Sequence, residues 1–164
     1  MTSEARQEIA ESGIYCPANE IDQGATALPW ALRIVSLIAG IFAMALLITS
    51  SQLEPSTEGF GTHEQLGLPP CTSIYVWGIR CPACGMTTSW AWATRLNVVE
   101  SFRANAGGLM LAIIALAYIP SSCYFFLCGK ASRGGRFSLC LAIFLTAALL
   151  AAIIQWGWRI SLGL

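Results

Sequence analysis

Three stretches of the chain stay apolar for about the 20 residues that a helix needs to cross a bilayer. They are "LPWALRIVSLIAGIFAMALLITS" at 28–50, "GGLMLAIIALAYIPSSCYFFLCG" at 107–129 and "FSLCLAIFLTAALLAAIIQWGW" at 137–158. In the first, Pro29 suits a first helical turn, Trp30 suits the interface, and Arg33 lies close enough to the end to snorkel. The second carries Pro120, which lacks a backbone donor, so the pattern predicts a membrane kink there, with Ser121 or Ser122 serving the freed backbone groups. The third ends on Trp156 and Trp158, an aromatic belt, and its Ala147, Ala148, Ala151 and Ala152 allow another helix to come close.

Between the first two spans, residues 51–106 are more polar and broken by turn residues. "MTTSWAWATR" has helix-compatible composition, with Thr87 or Thr88 as a cap and Gly85 permitting a sharp turn before it. Asn97 followed by Glu100 resembles a capping box for "VVESFRAN". Arg95, Asn97, Glu100 and Arg103 make this region too polar to span, so it predicts one or two interfacial helices with Trp90 and Trp92 as anchors toward lipid or protein. The expected architecture is therefore an all-α integral membrane protein: a polar tail over 1–27, then a single membrane domain over 28–164. In it, three transmembrane helices flank a cysteine-containing loop with its interfacial helices.

Composition agrees, with 55% hydrophobic and 11% charged residues and a mean hydropathy of +0.62. Net charge is zero, which gives no support to a nucleic-acid partner. The first 29 residues are acidic and lack the basic segment and apolar core of a cleavable signal, so the tail is expected to remain, with Cys16 as an ordinary thiol. The short basic loop "KASRGGR", holding Lys130, Arg133 and Arg136, favours the cytoplasm. The N-terminus is then cytoplasmic too, and the cysteine loop faces outward. Arg6 and Arg33 join those three residues against Arg80, Arg95, Arg103 and Arg159, five charges to four, so the dense loop decides rather than the total.

The loop contains the chain's one histidine, and from His63 the spacing reads H-x7-C-x9-C-x2-C through Cys71, Cys81 and Cys84. Three thiolates and an imidazole make a tetrahedral zinc shell, and C-x2-C is a compact chelating turn. His63 and Cys71, with Pro69 and Pro70 between them, form a less regular half, and His63 reads equally well as a loop histidine. Two other readings use the same sulfurs. An outward loop favours a structural disulfide from Cys71 to Cys81 or Cys84, and a C-x-x-C pair can cycle between dithiol and disulfide. Cys123, Cys128 and Cys140 read as small packing residues within spans. Almost no ionisable residue lies inside the spans, which argues against a transporter. Neither a nucleophile elbow nor a phosphate-binding G-x-x-x-x-G-K is present.

The run "GTHEQLGLPPC" followed by "CPACGMTTSWAWATRLNVVESFRANAGG" resembles DUF2752, a bacterial membrane family of unknown function with a CPxCGxT motif. The similarity covers about Gly61 to Trp158. It implies that the signature falls on Cys71, Cys81, Pro82, Cys84, Gly85 and Thr87, with a later asparagine at Asn105. Thr88 and Ala106 stand where many relatives have arginine and proline. The resemblance implies a bacterial cytoplasmic membrane and names no reaction. The expected function is a non-catalytic membrane subunit or scaffold. Its Cys loop is fixed by a disulfide or a metal such as zinc, and it associates with the bilayer and with a membrane-protein partner or its own copies. The competing expectation is a membrane thiol oxidoreductase or metal-handling protein using Cys81 and Cys84.

Overall fold

The computed structural model describes residues 29–128 and 134–162. The tail with Arg6 and Cys16, and the loop positions Lys130 and Arg133 on which the expected orientation leans, lie outside the described residues. Three long helices account for the apolar stretches: α1 (Trp30–Gln52), α5 (Ala106–Cys128) and α6 (Gly134–Ser161). All three are long and apolar enough to cross a membrane, the third over Leu139–Ser161. Between α1 and α5 come a 3-10 turn (Thr62–Leu66) and three short helices, α2 (Thr72–Trp77), α3 (Met86–Thr94) and α4 (Val98–Ala104). The count of short helices is thus three, because α2 forms within the cysteine loop itself. No strand occurs among the described residues.

α5 is the middle of the assembly. It packs on α1 along one side and on α6 along the other, while α3 and α4 pack on each other and on α5, and α3 also meets α1. Close approach rests on small residues. A Cβ added at Gly40 of α1 would lie 2.0 Å from Ser122 Oγ on α5, and one at Gly107 would lie 2.5 Å from the Ala148 carbonyl and 2.7 Å from Ala152 Cβ. Ala148 and Ala152, two of the four alanines expected to form a close-packing face, are buried. Large apolar residues such as Ile38, Ile41, Phe42 and Ile154 point outward, the arrangement expected where lipid covers the surface.

Pro120 sits within a helix assigned continuously from Ala106 to Cys128. The missing N–H leaves the Leu116 carbonyl without its usual partner, but the nearby hydroxyls act elsewhere: Ser121 Oγ donates to the Ala117 carbonyl and Ser122 Oγ to that of Ile119, both at 2.8 Å. Cys123 and Cys140 are free and exposed rather than packed inside, and Cys128 is disulfide-bonded, so the reading of these three as packing residues does not hold.

Trp30 and Trp158 are exposed at span ends. Trp90 and Trp92 are half-buried, and Trp156 has a further task, donating its indole N–H to the Arg80 carbonyl at 2.5 Å.

The α1–α5 contact yields a test. Gly40→Ala drives a methyl into Ser122 and should destabilise the protein by about 1–3 kcal/mol, the usual range for overpacking. Adding Ser122→Ala removes the 2.0 Å overlap and leaves the 2.9 Å approach to Ser122 Cβ, so thermal unfolding in detergent should recover part of the loss.

Candidate functional site

The turn from Cys81 to Gly85 is built by its own backbone. Cys84 N–H donates to the Cys81 carbonyl at 3.0 Å and Met86 N–H to that of Ala83 at 3.1 Å. Gly85 then takes a left-handed conformation, φ +86°, and a Cβ there would lie 2.5 Å from the Gly59 carbonyl and 2.6 Å from that of Ala104. Glycine is therefore required twice over, for its backbone angle and for the space. Gly85 is also the N-cap of α3, and no side chain caps that helix. The threonines do other work than the capping expected of them. Thr88 is fully buried and its Oγ1 lies 2.8 Å from Thr62 Oγ1, which in turn accepts from Ser56 N–H at 3.1 Å. Thr87 is half-buried beside the cysteines.

Cys71 reaches this turn from a separate segment, at the N-cap of α2. The three sulfurs form a triangle: Cys81 to Cys84 is 3.1 Å, Cys71 to Cys84 is 3.4 Å and Cys71 to Cys81 is 3.6 Å. All three are free thiols. Cys81 N–H points at Cys84 Sγ, 3.2 Å away, and the backbone N–H groups of Ser73 and Ile74 bond Cys71. Burial pushes the Cys71 thiol up, but the bonds from Cys84, from that backbone and from Cys81 outweigh it and bring it down from 9.0 to about 7. Burial also pushes Cys84 up, and its hydrogen bonds to Cys81 and Cys71 add to the effect, leaving it at about 12.

A cavity of about 530 Å³ opens beside the triangle, lined in part by Cys71, Cys81, Cys84, His63, Thr87 and Tyr75. His63 belongs to the cavity wall and not to the cluster. The ligand atoms lying within 4.8 Å of one another are the three sulfurs, whereas His63 Nε2–H donates to the Pro69 carbonyl at 3.3 Å.

Asn105 ties the turn to the second span. Its side-chain amide donates to the Pro82 carbonyl at 3.0 Å and the Cys84 carbonyl at 3.2 Å, and its Oδ1 accepts from Gly108 N–H at 2.8 Å. The last of these is an N-cap bond for α5. Ser89 and Ser101 complete the buried layer: Ser101 Oγ donates to the Ser89 carbonyl at 2.8 Å and Ser89 Oγ to the Asn105 carbonyl at 3.0 Å. The capping box expected at α4 forms by half. Asn97 Oδ1 accepts from Glu100 N–H at 3.2 Å, while the Glu100 carboxylate pairs with Arg103 at 2.7 Å instead of returning to Asn97.

Two residues of the last span, Gln155 and Arg159, carry a structural duty that sequence reasoning missed. Gln155 Nε2 donates to the Phe102 carbonyl at 3.0 Å, and its Oε1 accepts from Ala106 N–H at 2.6 Å. Arg159 donates to the Arg103 carbonyl and, at 2.9 Å, to that of Ala104. Together they serve the end of α4 and the start of α5. Their spacing of four residues at the end of an otherwise apolar helix is the signal that was available.

Residues 71–119 match the family model DUF2752, described as a protein of unknown function, which supports the resemblance over a shorter stretch than Gly61 to Trp158. No curated protein gives a significant match, and no solved structure does. The matched segment contains the three cysteines, Asn105 and most of α5.

Asn105→Ala leaves two buried carbonyls and the Gly108 N–H without partners. We expect a loss of about 2–4 kcal/mol, given about 1–3 kcal/mol for each unsatisfied buried group and partial relief by relaxation. Faster alkylation of Cys84 in the folded protein, read by intact mass, should accompany the lower melting temperature.

Proposed function

We propose that this membrane protein is a non-catalytic subunit or scaffold whose loop is closed by a thiophilic metal ion held on Cys71, Cys81 and Cys84. The observation that carries this reading is the convergence of three unbonded sulfurs from two chain segments, 3.1 to 3.6 Å apart. Zinc–thiolate bonds of about 2.3 Å in a tetrahedron place sulfurs roughly 3.7 Å apart, so the edges of the triangle need to open by about 0.1 to 0.6 Å. Hydrogen bonds to Cys71, including those from neighbouring backbone N–H groups, favour the charged form of that sulfur. Zinc and copper(I) are the ions that soft thiolates select. Cys71, Cys81 and Cys84 would hold the ion, and a fourth ligand would have to come from elsewhere; His63 forms part of the wall of the adjoining cavity. Binding releases the thiol protons, and the free energy of binding adds to that of folding.

The scaffold half of the proposal is supported by α2, whose Tyr75, in the wall of the cysteine cavity, is 86% exposed and whose Trp77 is 73% exposed. Exposed aromatic residues of this kind are common at the centre of protein interfaces. The same sulfurs could instead work as a redox pair, since any two lie close enough to join after a small movement.

Metal analysis and intact mass on protein purified without reductant or chelator separate these readings. We expect one metal per chain and an unreduced mass equal to the reduced one at Cys71, Cys81 and Cys84. Changing any of these cysteines to serine should weaken binding at least tenfold. The Cys81→Ser, Cys84→Ser double variant should lose little more stability than the worse single one, because both act on one closed loop. A metal-free protein lighter by two hydrogens at these residues would favour the disulfide. A folded single variant that accumulates mixed disulfides with other proteins would make it an oxidoreductase.

The orientation we propose, with the N-terminus in the cytoplasm and the cluster outside, rests on the short basic loop at 130–136 and is independent of the metal reading. A membrane-impermeant maleimide applied to intact, metal-depleted cells should modify a variant keeping only Cys71 and spare one keeping only Cys16. The reverse result would put the cluster in the reducing cytoplasm.

A further inference from the structure

We propose that the cavity bordered by Arg80, Arg103 and Arg159 binds the phosphate of a phospholipid headgroup. This goes beyond the metal reading and does not depend on it. The cavity has a volume of about 410 Å³ and lies between the 56–59 loop, α4 and the end of α6, with Trp92 of α3 and two carboxylate residues, Glu58 and Glu100, also in its wall. One pair of charges cancels: Arg103 Nη1 binds Glu100 Oε1 at 2.7 Å. Arg80 makes no ion pair among the described residues; its Cζ stands 4.2 Å from the centre of the Phe60 ring, and an aromatic face attracts a cation without neutralising it. Arg159 commits only its Nη2, to the Arg103 and Ala104 carbonyls. Both side chains are half-buried, and their unbonded nitrogens are open to a ligand, since the sealed side-chain atoms without a partner among the described residues are on Ser50 and Trp90.

The fold holds Arg80 and Arg159 together. Trp156 Nε1–H donates to the Arg80 carbonyl, and Arg159 follows three residues later on the same side of α6, close enough for the two charges to interact. Like charges left side by side repel, and an anion between them removes that cost. Each guanidinium offers a planar fork of N–H donors that matches phosphate oxygens. Glu58, exposed and in no ion pair among the described residues, offsets one of the two charges and leaves the wall net positive. Depth names the source of the phosphate. Arg159 lies two residues before Ser161, where α6 ends, about 3 Å along the axis at helical rise, and the polar interface adds roughly 5–7 Å to each side of the hydrocarbon core. The anion that a bilayer carries at that level is its phosphodiester. The surface beside the cavity suits the attached acyl chains: Phe102, next to Arg103, and Ile154 and Trp158, one turn apart on α6, are exposed, and Gln155 holds the Phe102 carbonyl to that helix. A soluble phosphate gains nothing from these contacts.

The test uses the full chain in a non-ionic detergent, titrated with dioleoylphosphatidylglycerol, with dioleoylglycerol, which lacks the phosphate, and with glycerophosphate, which lacks the chains. Retained ligand is read by native mass spectrometry. The phospholipid should bind about three- to tenfold more tightly than dioleoylglycerol, the gain expected of partly exposed charge pairs, and the preference should shrink as salt is raised. Arg80→Gln should remove most of that preference. Arg95→Gln, at an exposed arginine outside the cavity wall, should leave it intact. Equal binding of the two lipids by the unaltered protein overturns the proposal. So does an equal loss in Arg95→Gln, which would mean diffuse attraction to a basic surface. Displacement of the phospholipid by glycerophosphate at the same concentration also overturns it, assigning the cavity to a soluble phosphate. Should Arg80→Gln fail to fold, Glu58→Gln decides from the opposite sign: removing a carboxylate from the wall at an exposed position should strengthen phospholipid binding, and unchanged binding overturns the proposal.

Discussion

The carboxamide of Asn105 answers three backbone groups at once, donating to Pro82 and Cys84 and accepting from Gly108 N–H. Its position explains why so much hangs on it. α4 ends at Ala104 and α5 begins at Ala106, so the unpaired carbonyls of one helix and the unpaired N–H groups of the next crowd around a single extended residue. Water cannot reach a residue only 2% exposed, and each group left bare there is costly. Aspartate would bring two acceptors to carbonyls that need donors, and serine is too short to bridge the turn and the helix. Asparagine carries one donor group and one acceptor on a side chain of the right length.

The rest of the junction depends on that choice. With Asn105 occupied by the cysteine turn and by Gly108, the end of α4 needs partners from elsewhere, and Gln155 and Arg159 come from α6 to provide them. Trp156, between them in sequence, reaches the Arg80 carbonyl directly before Cys81. The cysteine turn is therefore clamped from two sides, by the start of the second span and by the end of the third. That clamp holds the turn that carries Cys81 and Cys84, and a site arranged by the fold loses less entropy when it binds.

Much of this was legible in the sequence. Spans announce themselves because a bilayer imposes a length and excludes charge, and the expected 28–50 and 107–129 fall within two residues of Trp30–Gln52 and Ala106–Cys128. Cys81 and Cys84 were legible because a two-residue spacing fixes their distance locally, and Cys71 joined them as the loop's remaining cysteine and through the family resemblance. Imidazole ligation by His63 was the weaker inference for a physical reason: seven residues including Pro69 and Pro70 separate it from Cys71, and its ring finds a carbonyl within that same loop. Thr88 was misread as a cap because a helix after a left-handed glycine has its N-cap position already filled, which freed the hydroxyl for Thr62. Gln155, Arg159 and Trp156 looked like span-end residues and are; what periodicity does not disclose is that their partners are backbone carbonyls, which are the same in every residue type.

The clamp has a consequence for how the cluster and the membrane helices influence each other. The Cys84 carbonyl and the first turn of α5 share one asparagine side chain, so a change in the turn that draws the sulfurs together or apart must be accommodated at Asn105, at the Gly85 contact with Ala104, or at both. Gly85 has no room, with carbonyls of Gly59 and Ala104 within 2.6 Å of where a Cβ would stand. The softer path runs through Asn105 into α5, and from α5 into both other spans, which pack on it from either side. Coupling of this kind is reciprocal in free energy: whatever closes the three sulfurs stiffens the span junction, and whatever holds the spans together favours the closed sulfurs. A cysteine loop built separately from the bilayer would lack that exchange, and this is the physical reason for anchoring the cluster to the helices by buried hydrogen bonds instead of suspending it in a mobile loop.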